Sequence, residues 1–174
     1  MTHLSGRARR VGDDINTDYI ISLARKRETI DAQILKRYLL ESVDPGFAAS
    51  VRPGDLLVAG RNFGCGSAME VAATAIVAAG IPAVLATSFA RSFYRNAINN
   101  GLLPIECDTT GIDEGDAITV SLEDTGIVVT NARTGKREAR PPLSGIAGDI
   151  LAAGGLVPYL RREGRFRATP HAPR

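Results

Sequence analysis

The residues able to do chemistry in this chain are few, and they gather around one serine. Ser67 sits in Arg61-Asn-Phe-Gly-Cys-Gly-Ser-Ala-Met-Glu70, after an apolar run, Leu56 to Gly60, and before an alanine-rich run, Val71 to Ala79. Apolar run, glycine corner, helix-like run: this order puts unpaired backbone N–H groups and one small hydroxyl at a helix start. The dipole there favours a carboxylate or phosphate. Locally, Ser67 fits two roles. It can be an N-cap worth about 1 kcal/mol, because Ser67 followed by Glu70 spells a capping box. It can instead be a base, but a serine alkoxide is expensive at neutral pH and needs a strongly electropositive pocket.

Three common glycine motifs fail here. The dinucleotide fingerprint lacks its third glycine, since position 69 is Met. A phosphate-binding P-loop needs a Lys before Ser67, and a nucleophile elbow needs Gly at 69. Two cysteines, Cys65 and Cys107, cannot by themselves ligate an iron–sulfur cluster or a structural zinc. Two histidines, one near each end, make a histidine-based site unlooked-for. Chemistry must therefore use hydroxyls, carboxylates, Lys/Arg and backbone, or be completed by another chain. Cys65 reads as a small buried filler, Asp18 and Glu70 as turn and cap residues, and Arg91 and Arg95 as packing or ion-pairing residues.

Elements must position that corner. Gly6 to Val11 reads as a first strand, followed by a turn-like Gly12 to Asp18. Leu23 to Thr29, with Arg25-Lys26-Arg27, reads as a basic loop. Asp31 caps an expected helix to about Glu41, stopped by Asp44-Pro45-Gly46. Leu56 to Ala59, Pro82 to Ala86 and Leu102 to Cys107 read as buried strands. Between them lie expected helices from Ser67 to Ala79 and, capped by Ser88, from Phe89 to Asn100. Such a β-α-β-α-β order implies a parallel sheet with right-handed crossovers. Ala117 to Leu122, Gly126 to Thr130 and Lys136 to Ala139 read as an antiparallel meander with turns at Asp124-Thr-Gly and Thr134-Gly135. A last helix, Gly145 to Ala153, precedes a polar tail. The expected fold is a three-layer α/β or β/β/α domain with a mixed parallel and antiparallel sheet.

At 174 residues the chain fits one domain with its own core, residues 6–162, and a tail at 163–174. A net charge of +2 predicts no nucleic-acid partner, and Arg161, Arg162, Arg165 and Arg167 read as a solvated tail. No apolar run approaches the roughly 20 residues of a membrane span, and the start lacks a signal-peptide stretch. A cytoplasmic location is expected.

Four blocks occur in order: Gly12-Asp-Asp-Ile-Asn-Thr-Asp-Tyr-Ile-Ile21, Pro53 to Ser67, Ser88 to Pro104 and Gly154-Gly-Leu-Val-Pro-Tyr-Leu160. Together they resemble the small-subunit family of 3-isopropylmalate dehydratase and homoaconitase, in the aconitase superfamily. The resemblance implies a swivelling β/β/α domain like the last domain of aconitase. It implies docking, as heterodimer or heterotetramer, on a large subunit carrying a [4Fe–4S] cluster, and a small hydroxy-dicarboxylate substrate. It also implies that Ser67 is the base that takes a proton beside a carboxylate, while the cluster iron activates the departing hydroxyl. Gly66 and Ala68 then fall at substrate-binding positions. The usual family sequence is Ser-Ser-Arg-Glu, where this chain has Ser67-Ala68-Met69-Glu70. Met cannot supply the bidentate contact of an arginine. The family's second specificity loop maps onto Leu23 to Thr29, so Arg25, Lys26 and Arg27 either supply the lost contact or form an exposed basic loop. The expected activity is 3-isopropylmalate dehydratase. The alternatives are a paralogue acting on homoaconitate, citramalate/citraconate or dimethylmalate, or a non-catalytic swivel domain.

Overall fold

The computed structural model describes residues 2–123 and 125–164. Asp124 of the expected meander turn, and Arg165, Arg167 and the rest of the expected tail from 165, lie outside the described residues. Among the described residues seven strands form one sheet, in the spatial order 103–106, 83–86, 56–59, 2–10, 117–123, 126–131 and 137–140. β1 (Thr2–Arg10) joins two kinds of pairing. Its last residues run parallel to β2 (Leu56–Ala59), with Ala8 opposite Leu56. Its earlier residues run antiparallel to β5 (Ala117–Glu123), from Thr2 opposite Leu122 to Arg7 opposite Ala117. β3 (Ala83–Ala86) and β4 (Leu103–Glu106) extend the parallel half. β6 (Gly126–Asn131) and β7 (Arg137–Arg140) extend the meander.

The short parallel strands are buried along their whole length because both faces are covered. On β2, Leu56 and Val58 face one core while Leu57 and Ala59 face another. The first core is strand against strand: Leu85 and Ile105 pack with Ile118, Val120, Ile127 and Val129 of the meander. The curl that allows this brings Asp108, just past β4, to Glu138 of β7, where the Asp108 N–H donates to Oε2 at 3.0 Å. The second core lies under helices, chiefly α5 (Glu70–Ala78) and α6 (Arg91–Asn99). The layers are β, β and α, as the sequence predicts.

Several helices differ from expectation. Leu23 to Thr29 is no loop: α1 (Thr17–Ile20) is followed by α2 (Leu23–Glu28), whose start is capped by Ser22 and whose last turn carries Arg25, Lys26 and Arg27. Cations at a helix C-terminus complement its dipole, which is why a basic run can be helical. The helix begun at Asp31 stops early. α3 (Ala32–Leu35) passes into a 3₁₀ turn, Lys36–Tyr38, and Leu40 takes φ +56°. Leu35, Leu39 and Leu40 are all fully buried, and the break lets the Leu40 N–H donate to the Ile20 carbonyl at 2.9 Å. A short α4 (Phe47–Ser50) follows, anchored by buried Phe47. Beyond α7 (Ile146–Ala152), the expected tail is instead α8 (Leu156–Glu163), launched by Gly154 and Gly155 at positive φ and held by fully buried Tyr159.

Candidate active site

The carboxyl edge of the parallel strands carries the glycine corner. After β2 the chain leaves the sheet through Gly60, where a Cβ would meet the Asp13 carboxylate. Phe63 then bridges to the residues before α6: its N–H donates to the Ser88 carbonyl at 3.0 Å, and its carbonyl accepts from Ala90 at 2.9 Å. Its ring sits edge-on to Phe93, centroids 5.0 Å apart, and to Phe89 at 6.1 Å. Gly64, at φ +77°, lies directly on Phe93 and donates its N–H to the Ile15 carbonyl at 2.8 Å. Gly66, at φ +89°, lies under the Asn16 side chain. Two left-handed turns on either side of Cys65 thus lift Ser67 off the sheet.

This geometry corrects the cap assignments. α5 begins at Glu70, and its N-cap is Met69, which makes no side-chain cap bond. Ser67 stands three residues ahead of the helix, exposed, and its hydroxyl has no hydrogen-bond partner among the described residues. The N–H groups of residues 67–69 therefore precede the first residue of the helix. Likewise α6 begins at Arg91, not Phe89. Ser88 serves the corner instead, its hydroxyl accepting from the Asn62 N–H at 2.8 Å. Cys65 is only partly buried, correcting the filler reading. Its thiol donates to the Asp14 carbonyl at 3.5 Å.

The segment 13–18 grips this corner. Arg61 pairs with Asp14 (3.0 Å), and the Arg61 N–H donates to Asp13 (2.9 Å). The Asp14 carboxyl is held below the usual range, first by the Asn62 side-chain donor and then by Arg61. Arg61 is thus neutralised locally. The Thr17 N–H donates to the Cys65 carbonyl at 2.9 Å, and the Thr17 hydroxyl to the Ser67 carbonyl at 2.9 Å. Sequence reasoning did not single out Asn16 and Thr17. Their signal was a polar step, Asn16-Thr17, directly after apolar Ile15 and close to apolar Ile20, which on burial must find partners.

The predicted specificity residues divide. Arg25 is committed: its Nε lies 3.0 Å from Glu41, a second nitrogen 3.6 Å from Glu28, and its guanidinium stacks 3.8 Å over the Tyr38 ring. Lys26 and Arg27 have no ion pair among the described residues. They stand on α2, directly after the segment that holds the corner. Arg91 and Arg95, expected to pack, to pair or to reach the active-site face, also lack an ion pair among the described residues. With Phe89, Tyr94 and Glu106 they line a cavity of about 390 Å³ at the start of α6. Met69 is 3% exposed and packs in the α–β core, so its side chain does not face the site. Among the described residues no group of three or more His, Cys, Asp or Glu is gathered as a metal site, and no helix is long and apolar enough to cross a membrane.

Comparison with known proteins locates this edge in a family. The Aconitase C-terminal domain family matches residues 24–110, from α2 to just past β4. The chain is 46% identical over 160 residues to the methanogen homoaconitase small subunit of Methanocaldococcus jannaschii, covering 92% of each chain. It is 47% identical over 161 residues to the 3-isopropylmalate dehydratase small subunit of Oleidesulfovibrio alaskensis, covering 91% of this chain and 95% of that one. A crystal structure of a 3-isopropylmalate dehydratase chain from Methanocaldococcus jannaschii superposes with a TM-score of 0.87 at 43% identity, covering 94% of this chain and 96% of the other.

Proposed function

The chain belongs to the aconitase C-terminal domain family, among the small subunits of its hydro-lyases, and from that membership we propose that it serves a 3-isopropylmalate dehydratase with Ser67 as the base. The observation that supports the role of Ser67 most directly is its placement. Two glycines at positive φ raise an exposed hydroxyl, without a hydrogen-bond partner among the described residues, ahead of α5, at the carboxyl edge where open α/β sheets bind ligands. As alkoxide, Ser67 Oγ takes the proton from the carbon beside a carboxylate. The electron pair left on that carbon forms the double bond as hydroxide departs from its neighbour, and hydration reverses these steps. The N–H groups of Gly66 and Ala68 hold the substrate carboxylate and lower the cost of the alkoxide, and Lys26 and Arg27 supply the further carboxylate contact that Met69 does not.

The described residues gather no ligand set for a [4Fe–4S] cluster, so that group does not fit this chain and no step here runs through it. We assign the cluster, and assistance to the departing hydroxyl, to a large subunit in a heterodimer or heterotetramer in the cytoplasm. The whole described chain acts as one swivel domain. A second reading is a paralogue for homoaconitate, citramalate or dimethylmalate. It is favoured by the homoaconitase small subunit among the relatives, and by the absence of an arginine at position 69.

The test is anaerobic co-purification with the large subunit and a screen of these hydroxy acids, with Ser67→Ala alongside. Turnover of 3-isopropylmalate, lost by at least 10³-fold on a scale of general-base contributions of roughly 10²–10⁴, is the expected result. Full activity of Ser67→Ala sinks the base assignment. No turnover of any hydroxy acid sinks the enzymatic reading.

A further inference from the structure

We infer that Thr17 is a positioning residue that aims the two N–H donors of the corner at the substrate, an inference that rests on the Ser67 reading above. Thr17 is 1% exposed and sits at the first position of α1. Both of its donors go to the glycine corner. Its N–H reaches the Cys65 carbonyl at 2.9 Å, and its hydroxyl the Ser67 carbonyl at 2.9 Å, with a longer 3.4 Å approach to Asn16 Oδ1. One buried residue thereby ties two carbonyls that are two residues apart.

The consequence follows from the planarity of the peptide unit. No described peptide is cis, so each carbonyl and the N–H of the next residue point in opposite directions. With the carbonyls of Cys65 and Ser67 turned toward Thr17, the N–H groups of Gly66 and Ala68 are turned away from it. Neither has a hydrogen-bond acceptor among the described residues, and both residues are exposed. The donors flank Ser67 in sequence, which suits a carboxylate with two acceptor oxygens beside the carbon losing its proton.

Asn16 supports the same arrangement from above. Its side chain occupies the space a Cβ on Gly66 would need, 2.5 Å from Oδ1, while Oδ1 accepts from the Asp18 N–H at 2.9 Å. Gly66 is thus confined between a buried tie and a polar lid, at a φ of +89° that few other residues adopt. Among the described residues the Thr17 hydroxyl is the one donor to the Ser67 carbonyl, and so fixes the Ser67–Ala68 peptide plane from this side. Without it, the Ala68 N–H is free to rotate out of register with that of Gly66.

The experiment uses the two-chain complex and whichever of 3-isopropylmalate, homoaconitate, citramalate and dimethylmalate the wild type turns over fastest. Thr17→Val and Thr17→Ala remove the hydroxyl, and Thr17→Ser keeps it. Donors that hold a carboxylate equally in ground and transition states act on KM, whereas a smaller folded fraction lowers the apparent kcat with KM unmoved. The expected result is a KM raised about three- to tenfold in the Val and Ala variants, the scale of one net hydrogen bond, and a KM within twofold of wild type for Ser. If Val does not assemble with its partner, the Ala and Ser pair reads the same hydroxyl. Wild-type KM in Ala or Val, or equal losses of apparent kcat in all three variants with KM unchanged, overturns the inference. Ser67→Ala, run alongside, separates the two readings. Retained kcat there refutes the serine base while leaving the KM effect of Thr17 to stand or fall by itself.

Discussion

Gly64→Ala tests whether the corner is shaped by contact or by backbone preference alone. At φ +77°, an alanine pays for a left-handed conformation, about 1–2 kcal/mol. The new Cβ would also lie 2.2 Å from Cγ and 2.3 Å from Cβ of Phe93. Phe93 cannot yield easily, since its ring is edge-on to Phe63 at 5.0 Å and stacked on Phe89 at 6.3 Å, and the residue is buried. Overpacking of this kind costs about 1–3 kcal/mol more, for a total of roughly 2–5 kcal/mol. Gly135→Ala is the control, because Gly135 has nearly the same φ, +71°, with nothing within 4 Å of its ideal Cβ. In urea melts with a slope of about 2 kcal/mol/M, Gly64→Ala lowers the midpoint by roughly 1–2.5 M and Gly135→Ala by roughly 0.5–1 M. Equal midpoints for the two variants refute the claim that Phe93 forces glycine at position 64.

Three further outcomes follow from the structure. Arg25→Ala lowers Tm by breaking the Glu41 pair and the Tyr38 stack, whereas Lys26→Ala/Arg27→Ala leaves Tm in place and raises KM about tenfold; the reverse pattern rejects the assignment of α2. The Asp116 carboxyl is held well below its ordinary value, first by Arg133, then by the Asp113 N–H. Its stabilisation is present above the ordinary pKa of about 3.9 and is lost as pH falls below it, so Asp116→Asn has a lower Tm than wild type at pH 7 and the gap closes below about pH 4. Burial, then Glu138, pushes the Cys107 thiol up to about 12, so iodoacetamide at pH 8 adds one group to the folded protein, at Cys65, and a second only after unfolding; two adducts on the folded chain contradict it.

The layers were legible because short apolar strands and glycine stops carry their own signal. The apolar run Leu56–Ala59 matches its strand to the residue, and Gly80 and Gly101 close α5 and α6 at positive φ as expected. What misled were capping serines. Ser67 and Ser88 each precede an alanine- or arginine-containing helix at the right spacing, yet the hydrogen bonds that decide them come from chain 50 and 26 residues away, through Thr17 and Asn62. Local pattern cannot register such partners. α2 and α8 were missed for a related reason. Arg25 is helical because Glu41 and Tyr38 meet it, and α8 because Tyr159 has a buried seat, neither of which shows in local polarity.

The same long-range view changes the meaning of Ala68-Met69. The stretch from Ala68 to Glu70 alternates exposed, buried, exposed, and Met69 takes extended angles, φ −113° and ψ 109°. In an extended segment successive side chains point to opposite faces, so the residue at 69 faces the core whenever 68 and 70 face out. An arginine substituted there would bring a guanidinium into the α–β core or force the peptide to turn over. Met69 is therefore a packing residue in this chain, and no single change at 69 restores a missing substrate ligand. Under the function proposed above, the carboxylate contacts come from backbone at 66 and 68 and from cations outside the motif. It follows that Met69→Arg destabilises the fold before it alters substrate choice, while exchange of the α2 cations alters choice with the fold intact.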